Sequence, residues 1–496
     1  MNSAMAAQTG TISSGAPEEL TSLDATFLEL EQLDPAVHMH IGGVMTFEPR
    51  PGKRGAPSAE EVGHLLGERL TAMQRYRQRL STATTGGLHW PTWEADPAFD
   101  LAAHVRRVRL PGRGGDDELR EWAGDYYSNR LDRSRPLWEL VVISGLEGGR
   151  WALASKTHHC MIDGVGSVDA ALVMLDAEPH PAPRPATEEE PLREAADDPE
   201  ASRTGGILDR VPGSSILKLP LRTASALLGA GRSGAAMATH PSQARETARR
   251  SRAMVEMLIR SELIAAPQTS LNTPIGGKRR LETVEVPLQS VRDIKQRLGG
   301  TVNDVILAVI ASGLRDLLLA RGEEPPERGL RAMVPVNLRS AGDQLAIGNR
   351  ITSLFVPIAV AEPDAWQRYR HQMQDAESLK SGDQGLGSSA VIDFAGHAPP
   401  ILHGMIARSL YATRLFNLTI TNVPGPQQPL YSFGTKMLSV WPVVPLAAEH
   451  TLGIAIFSYD GRLFITANGD FDSTHDIDVL MDGIGAAVAQ LERIET

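Results

Sequence analysis

Apolar residues recur at three- and four-residue steps in three long stretches, which is the spacing of a buried helix face. The first stretch spans Glu60 to Arg79 and has apolar residues at Val62, Leu65, Leu66, Leu70 and Met73. The second spans Asp117 to Leu131, and the third spans Thr301 to Ala320 directly after Gly299-Gly300. The pattern predicts three helices, two in the first half of the chain and one in the second.

Runs of β-branched and aromatic residues bounded by turn residues predict strands in both halves. In the first half, Leu137–Ile143 and Trp151–Thr157 flank a turn at Glu147-Gly148-Gly149. The second half has five such runs: Arg331–Val336, Ile351–Val360, Leu415–Asn422, Leu452–Tyr459 and Leu463–Asn468. The last two flank Asp460-Gly461, a strong hairpin signal. The chain is therefore predicted to form two α/β halves of similar size.

Composition changes abruptly between the two halves. Residues 176–200 are rich in proline and hold nine acidic residues against Arg184 and Arg193, a net charge of −7. Such a segment buries too little apolar surface to offset its ordering entropy, so we expect a solvated linker. Residues 201–260 reverse the sign, with ten Lys or Arg against three acidic residues, a net charge of +7. This basic connector fits either a helical crossover packed on the second half or a docking segment for anionic lipid headgroups.

The predicted organisation has four parts. They are a disordered N-terminus at 1–18, an N-terminal domain at 19–175, the acidic linker and basic connector at 176–260, and a C-terminal domain at 261–496. The first 18 residues have no basic start and no apolar run of secretory length. The most apolar helical stretch carries Asn303, Asp304, Arg315 and Asp316, which would be costly in lipid. We therefore expect a cytoplasmic protein without a membrane-spanning helix.

Charge and cysteine content exclude several classes of function. The 496 residues carry a net charge of −11 and the sequence pI is near 5.7, which argues against nucleic acid as the main partner. Cys160 is the single cysteine, so the sequence has no internal disulfide and no cysteine-based zinc or iron–sulfur cluster.

The segment Lys156 to Gly166 is the strongest candidate for chemistry. It is expected to end a strand, turn at glycine and enter a helix over Ser167–Leu175, and it contains His158-His159, Asp163 and Gly164. Histidine is the usual general base near neutral pH. An aspartate can orient an imidazole or pair with a distant arginine, and glycine lets a backbone or substrate approach closely. The start of a helix adds free N–H groups suited to an oxyanion.

Two other interpretations of the histidine pair compete with this one. A metal site is disfavoured, because neighbouring strand residues point to opposite faces and no H-E-x-x-H helix supplies further ligands. A purely structural histidine pair would be the starting assumption if the segment were considered alone.

The segment His158-His159-x-x-x-Asp163-Gly164 resembles the HHxxxDG motif of acyltransferases and condensation domains with the chloramphenicol acetyltransferase-like fold. Other segments resemble the blocks of one family, the bacterial wax ester synthase/diacylglycerol acyltransferases, over residues 20–490 apart from the acidic linker. These segments are Leu23-Asp24-Ala25-Thr26-Phe27, Pro136-Leu137-Trp138-Glu139, Leu271-Asn272 with Gly276-Gly277-Lys278-Arg279-Arg280, Thr301-Val302-Asn303-Asp304-Val305, Val334-Pro335-Val336-Asn337-Leu338-Arg339, Gly348-Asn349-Arg350 and Asn422-Val423-Pro424-Gly425-Pro426. Two departures are the missing proline in Ser22-Leu23-Asp24 and Cys160 inside the histidine motif.

The resemblance implies two chloramphenicol acetyltransferase-like α/β domains, each a mixed sheet flanked by helices, joined by a long crossover connector. It implies an O-acyltransferase that moves a fatty acyl group from acyl-CoA to diacylglycerol or to a long-chain alcohol. Acyl-CoA would be the co-substrate, and neither a metal nor another cofactor would be needed. The expected partners are these substrates and, through peripheral contact, a membrane or lipid droplet surface, but no nucleic acid.

The resemblance also assigns roles to residues. His159 would be the general base, and His158, Asp163 and Gly164 would shape the site. Asn303 and Asp304 would cap a helix or support the site. Asn422, Pro424 and Gly425 would form a rigid turn between the domains, near the substrate channel. Pro136, Leu137 and Trp138 would pack beneath the histidine strand. Cys160 adjoins the base in sequence but would point away from it if the strand persists, so a nucleophilic role is disfavoured.

Two other functions remain open at this point. One keeps the fold and changes the donor or acceptor, as in polyketide-associated acyltransferases or peptide condensation domains, and the Asn303-Asp304 and Asn422–Pro426 blocks argue against it. The other is a non-catalytic lipid-surface protein with a decayed site, against which the intact His159, Asp163 and Gly164 argue.

Overall fold

The computed structural model describes residues 18–53, 55–70, 73–81, 90–161, 173–181, 265–337, 351–380 and 415–495. The basic connector, the greater part of the acidic linker, Asp163, Gly164 and the predicted helix up to residue 172 lie outside these ranges, as do residues 338–350.

Helices and strands alternate along the described ranges. The helices are α1 (Ser22–Leu33), α2 (Ala59–Arg69), α3 (Asp116–Tyr127), α4 (Leu288–Leu298), α5 (Val302–Ala320), α6 (Ala365–Lys380) and α7 (Ile477–Glu492). The strands are β1 (Glu18–Glu19), β2 (His40–Phe47), β3 (Gln78–Leu80), β4 (Thr92–Ala95), β5 (Val105–Arg109), β6 (Trp138–Ser144), β7 (Trp151–His158), β8 (Arg279–Pro287), β9 (Leu330–Asn337), β10 (Ile351–Ile358), β11 (Leu418–Pro424), β12 (Tyr431–Ser432), β13 (Thr435–Val443), β14 (Leu452–Tyr459) and β15 (Arg462–Asp470). Short 3-10 turns lie at Gln74–Arg77, Leu101–Ala103, Glu147–Gly149 and His159–Met161.

Two six-stranded mixed sheets form the two halves of the described structure. The first has the order β12-β13-β2-β7-β6-β5, and the second has the order β10-β9-β11-β14-β15-β8. Parallel pairs in the first sheet (β5 with β6) and in the second (β11 with β9 and with β14) make both sheets mixed. Strands β1, β4 and β3 form a small third sheet. The predicted two-part α/β class is confirmed.

One strand crosses between the halves. Strand β13 follows the second sheet's β11 in the chain but pairs antiparallel with β2, Val440 opposite Met45 and Trp441 opposite Val44. The side chains of Val440 and Trp441 are buried there. The predicted division at residue 261 remains a prediction, and this strand from the C-terminal part of the chain completes the first sheet.

Most predicted elements are present, with shifted ends. The hairpin at Asp460-Gly461 is confirmed, since β14 and β15 pair directly on either side of it. The helix predicted over 60–79 is wrong beyond Arg69, because the chain there forms a 3-10 turn and β3. The carbonyl of Tyr76 in that turn accepts a hydrogen bond from Trp138 Nε1 at 2.9 Å, a tertiary contact that an uninterrupted helix would compete with.

Helix α5 forms the centre of the second half. Thr301 caps it, and Gly299 and Gly300 before it have φ of 84° and 80°, conformations that favour glycine. Arg315 of this helix donates hydrogen bonds to the carbonyls of Val360 and Ala361 at 2.8 and 2.9 Å, and these bonds stabilise the charge of the guanidinium. In the described ranges, no helix is both long and apolar enough to cross a bilayer.

The first residue of the predicted acidic linker packs against the first half. Asp176 is buried, and both of its carboxylate oxygens accept from Arg69 Nη2, at 2.9 and 2.8 Å. Its backbone also bridges to Tyr431 near the edge of the first sheet. Asp176 therefore belongs to the folded first half, and solvent-exposed side chains begin at Ala177.

Candidate active site

The two motif histidines lie where a fully buried strand ends. Strand β7 runs between β2 and β6, with His158 opposite His40 and Thr157 opposite Trp138. Every residue of β7 is buried, because both faces of the sheet are covered. The chain then turns through the 3-10 segment His159–Met161. His158 is thus the last residue of the strand and His159 the first residue of the turn.

The ring of His158 faces the protein interior. Its Nε2 lies 3.2 Å from Oε2 of Glu31, and its Nδ1 accepts a hydrogen bond from the Cys160 amide at 3.1 Å. A carboxylate requires a hydrogen at Nε2, and an amide donor requires a lone pair at Nδ1, so these contacts fit the neutral Nε2–H tautomer. His158 is fully buried, so this ring holds the local structure and does not face solvent.

His159 presents a different environment. Its amide donates to the Met39 carbonyl at 2.8 Å, and its imidazole stacks on the phenyl ring of Phe27 with centroids 3.9 Å apart and planes at 18°. The side chain is partly exposed, whereas Nδ1 is buried and receives no hydrogen bond from another residue of the described ranges.

The surroundings of His159 keep its imidazole neutral. Burial lowers the pKa of His159 to about 4, an effect that a hydrogen bond from the ring to its own backbone carbonyl opposes and the nearby His158 reinforces. At neutral pH the ring is a proton acceptor rather than a cation. This is the protonation state that a general base requires before reaction.

Three buried groups beside the motif were not found from the sequence. Glu31 on α1 and His40 on β2 lie 3.7 Å apart between Oε2 and Nε2, and His40 packs edge-on against His158 with ring centroids 5.8 Å apart. His38 packs against His40 at 6.0 Å. Burial lowers the pKa of His38 to about 4 and that of His40 well below its ordinary value. The spacing of Phe27 and Glu31, four residues apart on one helix face, was the available signal.

The first block of the family resemblance folds into helix α1. Thr21 caps the helix: its Oγ1 accepts from the Asp24 amide at 3.2 Å and donates to Asp24 Oδ2 at 2.6 Å. Asp24, the third residue of α1, therefore supports the start of the helix, and Phe27, the last residue of the block, stacks on His159. The missing proline before Asp24 leaves this arrangement intact.

Cys160 is buried behind the turn. Its amide is the donor to His158, and its side chain lies in the hydrophobic core of the first half. Burial, followed by the negative charge of Asp24, raises the pKa of the Cys160 thiol well above its ordinary value. A protonated, enclosed thiol is a poor nucleophile.

The Pro136-Leu137-Trp138 block packs beneath the histidine strand. All three side chains are buried, and the Leu137 carbonyl accepts the His158 amide at 2.9 Å. Trp138 stacks on His104 with centroids 4.5 Å apart. These contacts fit the packing role.

Asn303 and Asp304 occupy different positions at the start of α5. Asp304 is the third residue of a capping box, in which its Oδ2 accepts from the Thr301 amide at 2.8 Å and its own amide donates to Thr301 Oγ1 at 3.2 Å. The cap residue is therefore Thr301. Asn303 Oδ1 accepts from Asn422 Nδ2 at 3.4 Å, which ties α5 to the end of β11.

The Asn422–Pro426 block forms a tightly packed strand end. The Gly425 amide donates to Ser458 Oγ at 3.0 Å, and a Cβ at Gly425 would lie 2.3 Å from the Ser458 carbonyl oxygen. Pro424 pairs with Ser458 in the β11–β14 ladder. Among the described residues, no hydrogen bond joins Asn303 or Asn422 to either motif histidine.

A further block ties the two halves together. The buried guanidinium of Arg279 donates to the carbonyls of Gly276 at 2.7 Å, Lys278 at 2.9 Å and Ala36, the last of which lies just before β2. The backbone amide of Arg279 donates a hydrogen bond to Ser128 Oγ at 2.8 Å. Arg279 therefore anchors the segment leading to β2 and the end of α3.

In the ranges that the structure covers, no group of three or more His, Cys, Asp or Glu side chains is arranged to hold a metal ion. Asp163 and Gly164 lie outside those ranges, so their roles remain predictions.

Comparison with known proteins connects this site to one family. The model of the wax ester synthase/diacylglycerol acyltransferase catalytic domain matches residues 20–306, and that of the WS/DGAT C-terminal domain matches residues 347–492. A Mycobacterium tuberculosis protein named a probable diacylglycerol O-acyltransferase is 32% identical over 477 residues, covering 96% of each chain. A second so named from the same species is 31% identical over 475 residues, covering 95% of this chain and 98% of its own.

Solved structures give the same picture. The wax ester synthase/diacylglycerol acyltransferase from Marinobacter aquaeolei VT8 is 25% identical with a TM-score of 0.63, covering 96% of this chain and 98% of that one. The first condensation domain of the CDA synthetase is 16% identical with a TM-score of 0.55, covering 97% of each chain, and shares the fold.

Proposed function

The chain belongs to the wax ester synthase/diacylglycerol acyltransferase family and is an acyl-CoA-dependent O-acyltransferase, and on this premise we propose that His159 is its general base. The observation that carries the proposal is the pair of environments at the end of β7. His158 is enclosed between the Glu31 carboxylate, 3.2 Å from its Nε2, and the Cys160 amide, which donates to its Nδ1, whereas His159 is partly exposed and neutral.

The proposed reaction is a direct transfer. An imidazole nitrogen of His159 takes the proton of the acceptor hydroxyl, and the resulting alkoxide forms a bond to the thioester carbonyl carbon. The tetrahedral intermediate then breaks its C–S bond, and the CoA thiolate leaves and takes the proton back from the imidazolium. Nε2 is the proposed accepting nitrogen, because Nδ1 is buried while the side chain as a whole is partly exposed.

No covalent intermediate on the enzyme is needed. Ser, Cys and Lys nucleophiles require a base within hydrogen-bonding reach or a lowered pKa. The pKa of the Cys160 thiol is raised, and its amide rather than its thiol contacts His158. This supports attack by the acceptor itself, with acyl-CoA as co-substrate and no further cofactor.

The proposed acceptors are diacylglycerol and long-chain alcohols. The mycobacterial relatives are named diacylglycerol O-acyltransferases, and the Marinobacter neighbour is named a wax ester synthase as well as a diacylglycerol acyltransferase. Both acceptors partition into lipid, so we propose peripheral contact of a cytoplasmic protein with a membrane or droplet surface. The basic connector, with its net charge of +7, is the proposed contact.

One competition assay tests the function. Radiolabelled palmitoyl-CoA is offered with diacylglycerol and hexadecanol together, and the lipid products are separated. We expect label in triacylglycerol, wax ester or both, with one free CoA released for each ester formed. Release of free palmitate alone, at the same rate with and without acceptor, would rule out the proposed transfer.

Substitution of the base sharpens the assay. His159→Gln should lower kcat by roughly 10²–10⁴, the usual size of a general-base contribution. His158→Gln should cost less, since that ring does not face the substrate. His64→Gln is the matched control, because His64 lies on α2 with its side chain 79% exposed. Near-normal turnover of His159→Gln together with loss in His158→Gln would show that the base is misassigned.

A further inference from the structure

We propose that Glu31 is a positioning residue for acyl transfer, a role that rests on the proposed function of His159. Glu31 lies near the end of α1 and is only 1% exposed. It lies 3.2 Å from His158, and among the described residues no hydrogen bond or ion pair joins it to His159 itself. It acts through two neighbours, each of which holds the backbone of the catalytic turn.

The first neighbour is Met39. Oε2 of Glu31 accepts the Met39 amide at 3.1 Å, and the Met39 carbonyl accepts the His159 amide at 2.8 Å. The carboxylate therefore fixes the amide of Met39, and the carbonyl of the same residue fixes the backbone of His159. A shift of Glu31 would be transmitted to the general base through a single residue.

The second neighbour is His158. The same Oε2 lies 3.2 Å from Nε2 of His158, whose Nδ1 accepts the Cys160 amide at 3.1 Å. The carboxylate selects the tautomer with hydrogen on Nε2, and only that tautomer leaves a lone pair for Cys160. In the opposite tautomer two N–H groups would face each other and the turn at His159–Met161 would lose its support.

Glu31 keeps its charge despite its burial. Burial alone would raise the pKa of Glu31, but the adjacent His158 ring, through its Nε2 and the positive charge it carries when protonated, outweighs that effect together with the Met39 amide and the charge of Arg130, so the pKa is lowered. Arg130 is held beside the carboxylate by the carbonyls of Glu31, Asp34 and Val37, to which it donates at 2.7, 2.7 and 2.9 Å. A buried charge with this much dedicated support has a definite position.

The contacts through Met39 and through His158 end on the amides of two successive residues, His159 and Cys160. Glu31 therefore sets where the imidazole of His159 points. A base displaced by about 1 Å can lose as much as 10² in rate. Truncating Glu31 should therefore lower kcat strongly while leaving the binding of acyl-CoA unchanged, since nothing that contacts the substrate is removed.

The test compares Glu31→Ala and Glu31→Gln with Glu121→Gln, a matched control at an exposed glutamate of helix α3. We expect kcat to fall about 10- to 100-fold in Glu31→Ala with the KM for palmitoyl-CoA within about twofold of wild type. Glu31→Gln, which keeps the size and one acceptor oxygen, should retain more activity than Glu31→Ala. Glu121→Gln should resemble wild type.

A second readout needs no turnover. Nitrogen NMR of ¹⁵N-histidine-labelled protein, with His158 assigned through His158→Gln, should show the Nε2–H tautomer in wild type and its loss in Glu31→Ala. Unchanged kcat in Glu31→Ala, or an unchanged tautomer of His158, would overturn the proposal. If wild type failed to transfer acyl groups, the proposed function would fall, and the tautomer would still decide whether Glu31 positions the turn.

Discussion

The imidazole of His159 lies nearly parallel to the phenyl ring of Phe27, with ring centroids 3.9 Å apart and planes at 18°. Phe27 lies four residues before Glu31 on α1, so one helix face contacts both motif histidines: Phe27 stacks on the second and Glu31 faces the first. The helix thereby shields one face of the proposed base and supports the turn that carries it.

Loss of this stacking should make His159 more basic. We expect Phe27→Ala to admit water to the ring, raise the pKa of His159 from about 4 toward its ordinary value of 6.5, and lower kcat through loss of orientation. The pH at which kcat/KM falls on the acid side reports this pKa. Leu33→Ala, at a position on the same helix that is 49% exposed, is the control. An acid limb at the same pH in wild type and Phe27→Ala would contradict the prediction.

The pH profile of the wild-type enzyme should lack the usual histidine limb. A general base must be neutral, and activity is lost as the pH falls through its pKa, which burial places at about 4 for His159. We therefore expect kcat/KM to stay nearly constant from about pH 8 down to pH 5.5 in steady-state assays, with folding checked by tryptophan fluorescence at each pH. An acid limb centred near pH 6.5 would show that the base is solvated in the working enzyme.

Cys160 should be dispensable for catalysis. Because the pKa of its thiol is raised by burial, we expect Cys160→Ala to keep substantial activity and no acylated enzyme to accumulate with acyl-CoA alone. Intact-protein mass spectrometry before acceptor is added checks this. A stable acyl adduct that disappears in Cys160→Ala would establish a covalent route instead.

Stability should fall on mild acidification. Burial lowers the pKa of five histidines, His38, His40, His104, His159 and His450. Below about pH 6.5 the unfolded chain binds protons that the folded chain does not, so the free energy of unfolding decreases as the pH falls from 6.5 toward 4. Urea denaturation at pH 7.5 and 5.5 measures the decrease.

A substitution separates this effect from other titrations. His104→Gln should reduce the difference between the two pH values, whereas His64→Gln, at an exposed position, should leave it unchanged. Equal free energies of unfolding of the wild type at pH 7.5 and 5.5 would exclude a contribution from the buried histidines.

The basic connector should bind anionic lipid. Each Lys or Arg near such a surface contributes about 1 kcal/mol, and the attraction decays over a Debye length of about 10 Å at 0.1 M salt. We expect binding to anionic liposomes to weaken with salt and in the combined Arg245→Gln, Arg249→Gln, Arg250→Gln and Arg252→Gln variant. Transfer to a short, water-soluble alcohol should be unaffected. Equal liposome binding by wild type and variant at low salt would leave the connector as a packed crossover.

Local sequence determined most of the elements. The three-residue and four-residue spacing located α2, α3 and α5, and the alternation around Asp460-Gly461 located the hairpin of β14 and β15, because side chains only a few residues apart define these structures. The motif likewise located His158 and His159 at the end of a strand. One local prediction was wrong: the helix predicted to reach Arg79 ends at Arg69, and Tyr76 lies instead in a 3-10 turn whose carbonyl accepts a hydrogen bond from Trp138.

Tertiary structure alone decided how the site is held. Phe27, Glu31 and Met39 lie more than a hundred residues before His159 in the chain. The four-residue spacing of Phe27 and Glu31 indicates a shared helix face, but it does not indicate which distant residues that face contacts. The pairing of β13 with β2 across the two halves is equally invisible in the sequence. Strand pairing and side-chain stacking between distant segments depend on which surfaces the whole chain buries together, and that choice is made by the folded core rather than by any one segment.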